Sequence, residues 1–99
     1  MRLTAAQQQI IKSTVDRVLQ TASQVWLFGS RVDDNLRGGD IDLFIETEAV
    51  LPNRVQALCS LYGALIYALG DRKFDILLKD ARTQNAPVFD IAKRTGVIL

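Results

Sequence analysis

Residues 24–46 read QVWLFGSRVDDNLRGGDIDLFIE. Two short apolar runs, VWLF and LFI, flank a polar stretch rich in Asp, Asn and Gly. Gln24–Phe28 is β-branched and aromatic and stops at Gly29, which predicts a strand ending in a tight turn. Ser30 suits the cap of a short helical turn. Asp33–Gly39 has loop composition. Asp40–Glu46 alternates and predicts a second strand. Asp40, Asp42, Phe44 and Glu46 then lie on one face, and Ile41, Leu43 and Ile45 on the other.

Elements on either side follow from local signals. Thr4 and Gln7 fit a capping box. Ile11, Val15, Val18, Leu19 and Ala22 recur at helical spacing, so a first helix is expected over residues 5–22. Pro52 suits a first helical turn. The stripe Val55, Leu58, Tyr62, Leu65, Ile66 and Leu69 follows it, with Gly70 as the stop. Phe74–Lys79 predicts a third strand that puts Asp75, Leu77 and Lys79 on one face. Pro87–Arg94 predicts a last helix ending at Gly96. The closing Val97-Ile98-Leu99 reads as an edge strand or a packed tail. The expected order is α-β-β-α-β-α, in an α/β (α+β) chain forming a single domain over residues 1–99.

Composition removes whole classes of chemistry. The chain has 99 residues, no histidine and one cysteine. An internal disulfide, a Cys/His zinc cluster and any His-dependent nucleophilic site are therefore excluded within it. Cys59 is expected in the core, since free cysteine behaves as a small hydrophobe. The net charge of +1 makes no bulk electrostatic case for binding nucleic acid or a membrane surface. MRLTAAQQQ lacks the apolar core of a signal peptide. Residues 55–70 carry no charge but are too short to span a bilayer, and include Gln56, Ser60 and Gly63. A cytoplasmic protein is expected. That helix is apolar beyond one stripe: Leu61, Ala64, Tyr67 and Ala68 lie off its main face. An interface with a homodimer mate or another protein is expected there.

The chemistry then rests on carboxylates and a glycine turn. Asp40 and Asp42 emerge on one strand face, roughly 7 Å apart at the backbone. Like charges so placed repel, and a divalent cation removes that cost. Carboxylate oxygens suit Mg²⁺ or Mn²⁺, ions that also take substrate phosphates. If the third strand runs parallel beside the second, Asp75 joins the pair, and three carboxylates can hold two ions. Gly29 lets a phosphate approach the backbone, the Ser30 hydroxyl can donate to it, and Arg31 can add positive charge.

Taken together, GSRVDDNLRGGDIDLFI, the later KFDILL and the ending IAKRTGVIL resemble the minimal nucleotidyltransferases, small members of the DNA polymerase β-like superfamily. The resemblance extends over nearly the whole chain. It implies a small mixed β-sheet flanked by helices, and transfer of NMP from a nucleoside triphosphate, ATP by default, to an acceptor hydroxyl. It implies that Gly29 and Ser30 hold the β- and γ-phosphates. Asp40, Asp42 and Asp75 would bind two Mg²⁺ or Mn²⁺ ions, with Asp75 helping to deprotonate the acceptor. It further implies an acceptor on a separate chain, a helical HEPN-type toxin that this protein would modify as its antitoxin. The alternative is a non-catalytic, antitoxin-like module that neutralises such a partner by contact.

Overall fold

A computed structural model of the protein describes residues 3–29, 41–70 and 72–99. Among these, the order is α1 (Ala5–Leu19), β1 (Gln24–Phe28), β2 (Ile41–Glu46), α2 (Arg54–Leu69), β3 (Phe74–Lys79), α3 (Pro87–Thr95) and β4 (Val97–Ile98). The chain is thus α+β. The closing residues pair as a short fourth strand at the sheet edge, one of the two readings given for them, and extend the order to α-β-β-α-β-α-β. The sheet runs β3-β2-β1-β4 and is mixed. β1 is antiparallel to both β2 and β4, and β2 is parallel to β3.

Local chemistry accounts for most boundaries. The capping box at α1 is present: Gln7 N–H donates to Thr4 Oγ1 at 3.1 Å, and Thr4 N–H donates to Gln7 Oε1 at 2.8 Å. α1 stops three residues short of the expected end, because Gln20 turns left-handed at φ 55°. Its N–H still closes the last turn on the Asp16 carbonyl. Ala22 therefore lies beyond the helix, and its carbonyl accepts from the buried Thr47 hydroxyl at 2.8 Å. α2 starts at Arg54, not at Pro52. Its first-turn amides need a side-chain acceptor, which Asn53 supplies to Gln56 N–H at 3.0 Å.

Alternation gives the sheet two apolar faces. Val25, Leu27, Ile41, Leu43, Ile45, Phe74, Ile76 and Leu78 face α1 and α2, and form the main core with Ile11, Val15, Leu61 and Leu65. Each fully buried aliphatic side chain of this kind contributes about 1.5–3 kcal/mol. On the other face Trp26, Phe44 and Phe89 stack, with ring centroids 5.3 and 5.2 Å apart, and Ala92 packs beside them. α3 thus covers the middle of that face. Gly96 then turns the chain back into β4. A Cβ there would lie 2.5 Å from the Ala92 carbonyl oxygen and 2.9 Å from that of Leu27.

α2 is rotated from its expected orientation. Leu61, expected off the main face, is fully buried with Leu65, whereas Val55 and Ile66 are exposed. Cys59 is exposed rather than in the core. Counting at about 100° per residue puts Cys59 on the side of the helix away from Leu61. α2 also seals the outer edge of β3. Ile76 N–H donates to Tyr62 Oη at 3.1 Å, and Arg54 donates to the Leu78 carbonyl at 3.3 Å. Both occupy backbone groups that would otherwise recruit another strand. Among the described residues, no helix is long and apolar enough to cross a membrane.

Candidate active site

The face of the sheet that carries α3 is ordered in three rows across β1, β2 and β3. Cross-strand register sets Phe28 beside Asp42 and Asp42 beside Asp75. The next row is Trp26, Phe44 and Leu77, and the last is Gln24, Glu46 and Lys79. The middle row is the aromatic floor beneath Phe89 and Ala92. The first row places two carboxylates on adjacent strands, about 4.8 Å apart at the backbone. Asp42 is half-buried and Asp75 exposed.

Gly29 follows Phe28 directly and turns the chain left-handed at φ 74°. It lies hard against the first row. A Cβ at Gly29 would collide with the Asp42 carboxylate, coming within 3.0 Å of its Cγ. Only glycine satisfies both the backbone angle and the space. Gly29→Ala is therefore expected to cost about 1–2 kcal/mol from the left-handed angle alone. It should lower the melting temperature by roughly 4–15 °C. It should also displace the Asp42 side chain, which adds to that loss. A thermal melt measures the total.

Gly29, Asp42 and Asp75 are thus brought together at one sheet end. Ser30, Arg31 and Asp40, and the loop expected over residues 33–39, lie outside the described residues. Among the described residues, no group of three His, Cys, Asp or Glu side chains is placed to hold a metal ion. The two that are adjacent have the donor chemistry for Mg²⁺ or Mn²⁺, ions commonly held by one or two carboxylates with waters and phosphates completing the shell.

The opposite end of the sheet holds a cavity of about 740 Å³ lined by residues 21–24, 46–49 and 79–81 together with Lys93. Two of its acidic groups, Glu46 and Asp80, have partners close by. Glu46 pairs with Lys93 at 2.8 Å, and Lys93 also lies over the Trp26 ring, 5.4 Å from its centre. Asp80 is almost fully buried and accepts from the backbone N–H of Leu51, Arg82 and Thr83 and from the Thr83 hydroxyl. The Leu51 N–H above all holds its carboxyl below the usual aspartate range, against burial, which raises it. This residue was not singled out from the sequence, although Asp80-Ala-Arg-Thr83 carries the spacing of such a turn. Among the described residues, Asp42 and Asp75 are the two carboxylates set side by side in strand register, and the chemistry of the site is sought there. The sequence matches no family model and no curated protein.

Proposed function

We propose that this protein is a metal-dependent nucleotidyltransferase of the minimal, polymerase β-like type, which transfers NMP from ATP or another nucleoside triphosphate to a hydroxyl on a protein acceptor. The observation that carries this reading is the register of Asp42 against Asp75, with the left-handed Gly29 packed on Asp42. Two acidic side chains in adjacent positions beside a glycine turn suit a metal–triphosphate ligand better than they suit a folded surface.

In this reading Asp42 and Asp75, with Asp40 two residues before Asp42, hold the ions. Bound there, Mg²⁺ or Mn²⁺ would neutralise phosphate charge and favour in-line displacement at phosphorus. Gly29 offers a backbone that phosphate oxygens can reach closely. The Ser30 hydroxyl donates to them, and Arg31 adds positive charge. Asp75, exposed at the strand start, takes the proton of the attacking hydroxyl. The acceptor oxygen bonds to the α-phosphorus as the bond to the bridging oxygen breaks, and pyrophosphate leaves. The acceptor belongs to another chain, in this reading a helical HEPN-type toxin neutralised by modification.

Label transfer tests the reading. The pure protein, Mg²⁺ and α-labelled ATP are mixed with lysate of the host, beside an Asp40→Ala/Asp42→Ala control. One labelled protein band, absent from the control, is the expected result. Triphosphate should also bind more tightly with Mg²⁺ or Mn²⁺ than with EDTA. Equal binding in both conditions, with no labelled band, would favour the module that acts by contact.

A further inference from the structure

We infer that Lys73 is a phosphate-binding residue of the candidate site, holding the α-phosphate of the nucleotide from the side on which the acceptor arrives. The inference rests on the function proposed above, in which pyrophosphate leaves at the Gly29 end and the ions sit by Asp42 and Asp75. Lys73 precedes β3, but its backbone already belongs to the sheet, because its carbonyl accepts from Ile41 N–H at 2.9 Å. Side chains alternate along such a backbone. Lys73 therefore shares the face of Asp75, two positions earlier and about 6.6 Å away along the strand. Exposure follows the same alternation: Lys73 and Asp75 are exposed, and Phe74 between them is buried in the main core. The flexible four-carbon stem of lysine is long enough to bring the ammonium level with the carboxylate row.

Two observations select a phosphate as its partner. The first is charge. Lys93, which lies over the same sheet face, is neutralised by Glu46 at 2.8 Å. Among the described residues Lys73 forms no ion pair, with Asp75 or any other carboxylate. Its charge is therefore available to a ligand. The second is the order of the row. From β1 to β3 it runs Phe28, Asp42 and Asp75, and Gly29 directly follows Phe28. In-line displacement at phosphorus sets the acceptor opposite the leaving pyrophosphate. With pyrophosphate at Gly29, the acceptor comes from the β3 side, and Lys73 flanks that approach. An ammonium is a donor only, so it contacts phosphate oxygens without competing for the ions. It also offsets the negative charge that the paired carboxylates present to a phosphate.

Calorimetric titration with AMP and with inorganic pyrophosphate, each with Mg²⁺, tests this without relying on transfer. Lys73→Met keeps most of the stem and removes the charge. It should weaken AMP binding by at least about ten-fold, the usual effect of losing one charge-assisted contact, and leave pyrophosphate binding within about two-fold. Lys73→Arg should recover most of the AMP affinity. Lys79→Met, on the same strand face at the far end, should change neither. Lys73→Met should melt within about 4 °C of the unmodified protein, because the residue is exposed. Unchanged AMP affinity in Lys73→Met would overturn the inference and leave the proposed function standing. An equal loss for both ligands would also overturn it, as the mark of a general charge effect. Binding of pyrophosphate but not AMP to the unmodified protein would do the same. No binding of either ligand to the unmodified protein would instead remove the site on which both readings rest.

Discussion

Asp42→Asn is expected to remove the proposed nucleotidyl transfer, by at least about 10²–10³-fold, while leaving the fold in place. Asparagine keeps the shape of the side chain and one carbonyl acceptor, but not the charge. Asp42 stands beside Asp75 in register, so the change relieves a like-charge pair in the metal-free protein. Near water that relief is below about 1 kcal/mol. The metal-free melting temperature should therefore move by no more than a few degrees. Mg²⁺ should raise the melting temperature of the unmodified protein, and that rise should shrink or vanish in the variant, because ligand stabilisation follows affinity. Transfer assays and paired melts with Mg²⁺ and EDTA separate the two effects. Activity within ten-fold of the unmodified protein would remove Asp42 from the proposed chemistry. A large metal-free loss of stability would instead make it structural.

Asp80→Ala is expected to give the largest loss of stability, about 2–3 kcal/mol, a fall of roughly 10–20 °C in melting temperature. One carboxylate oxygen takes the Leu51 N–H at 3.0 Å, and the other takes Arg82 N–H, Thr83 N–H and the Thr83 hydroxyl at 3.0, 3.0 and 2.9 Å. Alanine leaves these donors without their acceptor in a buried corner that joins the segment after β2 to the turn after β3. Asp80→Asn should cost less, because one oxygen remains.

The pH dependence has a fixed sign. The folded carboxyl titrates below its unfolded value, chiefly because of the Leu51 N–H. Below about pH 3.9 the unfolded chain thus binds the proton first, and stability falls as pH drops. The contribution is complete above that value and lost as pH falls through the folded one. Denaturant melts should show a constant gap between Asp80→Ala and the unmodified protein at neutral pH, narrowing in acid. A gap that widened in acid would refute the assignment.

Several elements were readable because their causes are local. The capping box of Thr4 and Gln7 sits within one turn. β1 and β3 begin and end where expected, since each is a short β-prone run with a glycine or charged residue at its border. Pro87 starts α3 and Gly96 ends it. What failed had no local marker. Gln20 ends α1 by a left-handed angle that glutamine does not advertise. Asn53 rather than Pro52 organises the start of α2, because the deciding feature is an acceptor for a free amide.

The candidate site divides in the same way. The pattern of β2 determined that Asp42 and Phe44 share one face while Ile41, Leu43 and Ile45 share the other, because side chains alternate along any strand. It could not determine what stands beside Asp42. That depended on β3 pairing parallel to β2 in the register that sets Asp75 there, a choice made by packing α2 across the sheet. The φ of Gly29 and its contact with Asp42 likewise exist only once β1 and β2 have paired. The orientation of α2 was only faintly marked in the sequence. With no charge from Val55 to Leu69, just Gln56, Ser60 and Gly63 mark the exposed side, so the burial of Leu61 and the exposure of Cys59 and Tyr67 were settled by fit against α1 and the sheet.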